Sequence, residues 1–188
     1  MGLVSREQYH HLIKNTGLSF NSLYDNIKTN KKVAFGKHAK EDEIFLPIGK
    51  ISPFMFLGRS IINSPDFFNS EDGKLVSNIC SHLSLNVKEV YITNLIKYKA
   101  DKVDILDAKD HVKEFLLSEI VLSKPEMIFV LGNPVKKVIE SSFHFEFDTP
   151  MVDREIKFKI ENNEVQYNVK FIYLQLDKEF DFSQLDPY

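Results

Sequence analysis

The chain has 188 residues, of which 43% are hydrophobic and 27% charged, a composition typical of a folded globular domain and not of a disordered or fibrous chain. A net charge of -3 gives no global positive field to attract nucleic acid or anionic lipid, so any DNA contact would need a local basic patch. The lone cysteine, Cys80, cannot form an internal disulfide, and no apolar run reaches the roughly 20 residues of a membrane helix. These features favour a reducing, cytoplasmic location.

Helical patterns come first along the chain. Ser5 and Gln8 form a capping-box pattern before one predicted helix. A second helix is predicted after Ser19, where apolar residues have the spacing of one helix face: Phe20, Leu23, Tyr24 and Ile27. The sequence therefore predicts an N-terminal helical cap within residues 1–50. The lysines between residues 28 and 40 are open to two interpretations, a short basic patch or a solvated loop.

From Pro53 onward, short apolar runs alternate with amphipathic helices. The predicted strands cover residues 54–57, 89–93, 126–131 and 169–174. One helix between them carries Leu75, Val76, Ile79 and Leu83, with Cys80 on its buried face. Another carries Val112, Phe115, Leu116 and Ile120, with Asp107 as its N-cap.

After the third strand, Asn133 and Pro134 predict the start of a further helix. Residues 156–160 and 165–169 flank a predicted hairpin turn at 161–164. This order predicts an α/β fold, a three-layer α/β/α sandwich around a central, mainly parallel, four-stranded sheet. We expect one domain over residues 1–188, with the α/β core at 51–176 and an acidic tail at 177–188.

In open parallel sheets, ligands bind beyond the carboxyl ends of the strands. The loops after Leu57, Thr93, Leu131 and Leu174 are therefore where a site is expected. Asn94 is unusual at the end of a buried strand, because its amide must find partners there or meet a ligand that supplies them. An amide offers a donor beside an acceptor, which suits recognition of a base edge.

Four segments in this order resemble the uracil-DNA glycosylase superfamily, most closely its bacterial and archaeal family-4 and family-5 branches. They read FMFLG at 54–58, SPDFFNSEDGKLVSNI at 64–79, EVYITNLIKYK at 89–99 and FLLSEIVLSKPEMIFVLG at 115–132. The resemblance implies that Phe67 or Phe68 stacks on a flipped base and that Asn94 reads the edge of that base. Core packing of the two rings and a strand-end cap by Asn94 are the structural alternatives.

The basic residues Lys97, Lys99 and Lys102 follow Asn94 in the chain. We expect them to form the local positive patch on DNA phosphates if DNA is bound, because phosphate contacts supply most of the non-specific affinity. A solvated loop is the alternative.

The sequence differs from the family at two motifs that carry out the family's catalysis. Arg59 stands where the family has a water-activating motif, and an arginine cannot act as a general base. The family's histidine motif after the last strand is missing, and Gln175 is the nearest hydrogen-bond donor there. Asp66 is a candidate substitute carboxylate, although capping of the helix that begins near residue 72 is the alternative role.

The resemblance also raises the question of a cofactor, because family-4 and family-5 enzymes hold an iron-sulfur cluster through four cysteines. This chain has one cysteine and six histidines without metal-site spacing, so we expect no cluster, no other metal and no cofactor. The predicted function is that of a divergent uracil-DNA glycosylase-like protein that binds DNA or a nucleobase, with weak or no uracil excision. One alternative is an active DNA repair glycosylase, a hydrolase of the N-glycosidic bond that uses a substitute carboxylate. Another is a non-enzymatic protein-interaction module.

Overall fold

The computed structural model describes residues 18–29, 46–49, 51–59, 67–97, 105–160 and 163–175. They form an α/β domain around a mixed sheet of six strands. The strands are β1 Ile48–Gly49, β2 Phe54–Gly58, β3 Tyr91–Asn94, β4 Met127–Leu131, β5 Met151–Ile160 and β6 Asn163–Leu174.

The strand order across the sheet is β1-β3-β2-β4-β6-β5. The four central strands are parallel, as predicted, but β1 and β5 add an antiparallel strand at each edge. The expected sheet of four strands was therefore wrong in size. β1 was missed because two residues carry no periodic pattern, whereas the predicted hairpin is confirmed as β5 and β6 and extends the sheet.

The helices are α1 Phe20–Thr29, α2 Glu71–His82, α3 Ile105–His111, α4 Leu117–Ser123 and α5 Asn133–Phe143, with a π-helical stretch, Val112–Leu116, joining α3 to α4. The prediction of Asp107 as N-cap was wrong, because α3 begins two residues earlier. Gly132, with a positive φ of 82°, is the N-cap of α5 in place of Asn133, whose Oδ1 accepts a hydrogen bond from the Tyr173 hydroxyl. Within the ranges described above, no helix is long and apolar enough to cross a membrane. The helix predicted at Ser5 and the acidic tail lie outside those ranges.

Strand residues alternate between two hydrophobic cores, one on each face of the sheet. We call the first the α2 face; it buries strand residues such as Phe56 and Ile92 against Val76, Ile79 and Cys80 of α2. The second, the α4 face, buries Tyr91 and its neighbours against the helical run 105–123 and α5. The predicted burial of Cys80 is confirmed, since the residue is 2% exposed.

The carboxyl ends of the parallel strands meet at one edge, which we call the carboxyl edge. In the parallel register, Gly58 of β2 lies beside Asn94 of β3. Backbone hydrogen bonds join the following residues as well, from Leu95 N to Gly58 O at 2.8 Å and from Ile96 N to Arg59 O at 3.0 Å. The chain leaves β2 through α2 on one face toward β3 and leaves β4 through α5 on the other face toward β6, and in such sheets this reversal places the ligand crevice between β2 and β4.

Candidate functional site at the carboxyl edge

Asn94 is the last residue of β3 and is 2% exposed. Its side-chain oxygen Oδ1 is buried and has no hydrogen-bond partner among the described residues. Leaving a buried acceptor unsatisfied costs about 1–3 kcal/mol, and most buried polar groups avoid it. The Asn94 side-chain oxygen therefore lacks a hydrogen bond that a ligand N–H could supply.

The register and the alternation of the strand define the surroundings of this amide. Asn94 shares the α2 face with Ile92, because residues two apart point to the same side of a strand. Gly58, its neighbour across the β2–β3 ladder, contributes no side chain there. The amide is therefore flanked on β2 by backbone alone.

Phe67 also belongs to the α2 face, where it is 2% exposed and packs in the core cluster. Its backbone is held against the start of α2, since Ser70 N donates to Phe67 O at 2.9 Å. A Cβ added to Gly73 would lie 2.0 Å from that same carbonyl oxygen, so only glycine permits this close approach. Core packing therefore describes Phe67 in this structure.

Phe68 differs from its neighbour. The residue is 43% exposed, and its ring contacts that of Phe67 edge-on, with 5.1 Å between the ring centroids. Of the two predicted stacking residues, Phe68 is the one with ring surface open to an incoming group.

On the other side of β3, Thr93 lies in a fully buried polar cluster. The Lys97 ammonium donates to Thr93 Oγ1 at 2.7 Å, to the Asn94 backbone oxygen at 2.6 Å and to Glu119 Oε2 at 2.7 Å. The Thr93 hydroxyl in turn donates to Glu119 Oε1 at 2.9 Å. We call Thr93, Lys97 and Glu119 the buried ion-pair cluster. It ties the loop after β3 to helix α4.

Burial governs the electrostatics of this cluster. Burial lowers the pKa of Lys97, and the nearby Glu119 carboxylate offsets part of that effect. Burial, followed by the Glu119 charge, raises the pKa of Tyr91, whose hydroxyl lies 3.4 Å from Glu119 Oε1. All three ammonium hydrogens of Lys97 have an acceptor, which is the condition under which a buried charge is tolerated.

The prediction of Lys97 as a phosphate contact was wrong. Its side chain is 0% exposed and is paired with Glu119, so it contributes no positive charge to the surface. Lys99 and Lys102 lie outside the described residues, and so does the candidate carboxylate Asp66. For Lys99 and Lys102, contact with DNA phosphates therefore stays a prediction.

Arg59 and Gln175, the two positions that the sequence resemblance aligned with catalytic motifs, follow strands at the same edge. Arg59 follows β2 and is half-buried, and Gln175 follows β6 and is also half-buried. Strands β2 and β4 separate Gln175 from Asn94, which is about 14 Å at the usual spacing between strands. Gln175 and Asn94 would therefore contact different parts of a ligand.

Glu119 is the site residue that sequence reasoning missed. A signal was present, because Glu119 falls on the apolar stripe of its helix, four residues after Phe115 and one before Ile120, both buried. A carboxylate on a core-facing stripe requires a buried cationic partner. The identity of that partner was not readable, since Lys97 lies 22 residues away in the chain.

Within the described residues, no group of three His, Cys, Asp or Glu side chains is placed to hold a metal ion. Comparison of the chain with models of known protein families finds no match. Comparison with curated protein sequences finds none either. The functional assignment therefore depends on the chemistry of the carboxyl edge.

Proposed function

We propose that this protein binds a nucleobase at the carboxyl edge of its sheet, with the Asn94 amide against the edge of the base. The observation that carries the proposal is the buried Asn94 Oδ1, which has no hydrogen-bond partner among the described residues. A ligand N–H would satisfy it and recover the cost of burying it alone. The resemblance of the surrounding segments to uracil-DNA glycosylases makes DNA the expected source of the base.

The ligand class follows from the chemistry of the amide. A side-chain amide presents an acceptor and two donors in one plane, which matches the alternating donors and acceptors on a base edge. Uracil is such a partner, because its N3–H donor lies between two carbonyl acceptors. Gly58 leaves the β2 side of this amide free of side chains. Phe68, with its exposed ring, is the aromatic candidate for stacking on the base.

Binding without rapid excision is the expected behaviour. Glycosidic cleavage needs a positioned water and a donor for the charge that develops on the leaving base. Arg59 cannot activate water, and Gln175 offers a neutral hydrogen bond in place of a histidine. The buried carboxylate Glu119 lies on the opposite face from the Asn94 side chain and is paired with Lys97. A missing donor alone typically lowers a rate about 10²- to 10³-fold.

The test compares single-stranded oligonucleotides that carry one uracil or, as a control without a base edge, one abasic site, with binding measured by fluorescence anisotropy. We expect N94A to weaken binding to the uracil oligonucleotide about tenfold or more, the equivalent of a lost hydrogen bond to a buried amide. S142A is the matched control, because Ser142 Oγ is also buried without a hydrogen-bond partner among the described residues but lies on α5. Equal binding by N94A and the unmodified protein would overturn the proposal.

Uracil excision is measured on the same oligonucleotides, both single-stranded and annealed into a duplex. We expect little or no release of uracil. Turnover at rates ordinary for enzymes, on the order of 1 to 10³ per second, would show that the chemistry is intact. In that case D66N decides between mechanisms, because its loss of activity would support the alternative of a substitute carboxylate.

A further inference from the structure

Strand β5 forms one edge of the sheet, and among the described residues it pairs with β6 alone. The phase of that pairing is fixed by the bond from Tyr173 N to Pro150 O at 2.7 Å. Because backbone groups alternate in direction along a strand, even-numbered residues of β5 bond to β6. Residues 151, 153, 155, 157 and 159 therefore point their N–H and C=O groups away from the sheet, where Met151 O and Asp153 O each accept one local side-chain bond, from Thr149 Oγ1 at 2.6 Å and from Arg154 Nη1 at 2.9 Å.

The same odd-numbered positions carry an ordered series of charges. Asp153 and Glu155 come first, and Lys157 and Lys159 follow. The side chains of Asp153, Glu155 and Lys157 are exposed, and the Lys157 ammonium lies 3.1 Å from Glu155 Oε1. The acidic half and the basic half of this edge meet at Ile156.

A strand with this series is complementary to itself when reversed. With an antiparallel second copy and a two-fold axis at Ile156, Glu155 stands opposite Lys157 of the second copy, and position 153 stands opposite position 159. The sequence has residues of opposite charge at all four pairs of positions, and all the paired residues have outward-pointing backbone groups, as hydrogen-bonded antiparallel pairs require. The direction of the backbone groups and the order of the charges therefore favour the same register.

Neighbouring registers are disfavoured by the same two criteria. A two-fold axis at Glu155 or at Lys157 would place that residue opposite its own copy, with like charges in contact. A shift by a single residue would set outward groups against groups already bonded to β6. The charge series therefore specifies one register, whereas edge charges that merely prevent association need no such order.

We propose that β5 pairs with β5 of a second copy of this chain and joins two six-stranded sheets into one continuous sheet. Val152 and Ile156 are buried in the core of their own chain, at 5% and 4% exposure. The interface therefore consists of backbone hydrogen bonds and the charged pairs, with little apolar area. Such an interface is dependent on concentration and on salt.

Sedimentation equilibrium of the full chain from about 2 to about 200 µM tests the proposal. We expect the mass to rise from 21.8 kDa toward twice that value. K157E and E155K each place like charges opposite each other twice in the symmetric pair, so each raises the dimer dissociation constant about tenfold or more. The double variant E155K/K157E restores the opposite pairs and the dimer.

K137E is the matched control, because Lys137 is exposed on α5 and undergoes the same change of charge. It leaves the dissociation constant unchanged. A salt titration of the unmodified protein needs no variant to fold, and about 1 M NaCl is expected to weaken the dimer several-fold. A monomer at every concentration would overturn the proposal, as would a dimer that K157E leaves intact or that the double variant fails to restore.

Discussion

Thr93 and Asn94 are consecutive residues of one strand, and they are equally buried, at 1% and 2% exposure. The Thr93 hydroxyl accepts from Lys97 and donates to Glu119, so its hydrogen-bonding capacity is used within the protein. The Asn94 side-chain oxygen Oδ1, on the opposite face, has no partner among the described residues. Burial alone therefore does not distinguish the two side chains, but hydrogen-bond satisfaction does.

This difference distinguishes a buried polar group that stabilises the fold from one that can bind a ligand. A buried polar group whose partners all come from the protein stabilises one conformation and needs nothing from outside. A buried polar group without partners lowers stability until a ligand, an ion or a water supplies one. The two faces of β3 are also connected, because the Lys97 ammonium donates a hydrogen bond to the backbone oxygen of Asn94 at 2.6 Å. The buried ion-pair cluster thus positions the residue that we assign to the ligand.

Breaking the satisfied side is expected to have the largest effect on stability. E119A leaves the Lys97 charge buried without its carboxylate, which costs about 3–5 kcal/mol in the free energy of unfolding. The measurement is urea denaturation at pH 7. E114A, which removes an exposed carboxylate from the same helical run, is expected to cost less than about 1 kcal/mol. A small loss for E119A would show that Glu119 does not stabilise the buried charge.

The double variant K97M/E119L sharpens the same test. It removes both charges and fills their volume with apolar side chains, so it is expected to recover most of the stability lost in E119A. A double variant as unstable as E119A would mean that packing, and not an unpaired charge, explains the loss.

A second expected effect is on the pH dependence of stability. Burial lowers the pKa of Lys97 below its ordinary value of 10.5, so the native state releases this proton at a lower pH than the unfolded chain does. The unfolded state then binds more protons, and stability rises with pH toward 10.5. We expect the stability of the unmodified protein relative to K97M/E119L to increase as the pH approaches 10.5 from below. A relative stability that falls over this range would contradict the direction given for Lys97.

The smallest change in stability is expected on the unsatisfied side. N94A removes an acceptor that is costly to bury, and this gain offsets the loss of packing, so stability changes by less than about 1 kcal/mol. Thermal or urea unfolding beside E119A provides the comparison. A loss as large as that of E119A would show that Asn94 has a structural role equal to that of the cluster.

The sequence was informative where burial follows a regular pattern. The four parallel strands were predicted because each is buried on both faces and therefore reads as an apolar run. β1 left no such pattern in two residues, and β5, which alternates between core and solvent, was recognised as a hairpin arm but not as part of the sheet. The position of Asn94 at the end of β3 was predictable for the same reason as the strand itself.

The hydrogen-bond partners of the buried polar residues could not be predicted from the sequence. Lys97 was predicted to lie on the surface because lysines are rarely fully buried, and the carboxylate that makes its burial tolerable comes from a distant helix. Likewise, the pairing of Thr93 with Glu119 and the absence of a partner for Asn94 Oδ1 depend on how β3 and α4 meet in space. Pairwise contacts of this kind leave no periodic pattern in a single sequence.

The most direct test of a base at Asn94 is a titration of ¹⁵N-labelled protein with free uracil, followed by NMR through the side-chain amide signals of Asn94. The control ligand is 3-methyluracil, in which a methyl group replaces the N3–H donor. We expect a saturable shift of the Asn94 signals with uracil and a much weaker response to 3-methyluracil, because Oδ1 gains its partner from that N–H. Asn94 signals that do not move with uracil, or that respond equally to both ligands, would contradict this expectation.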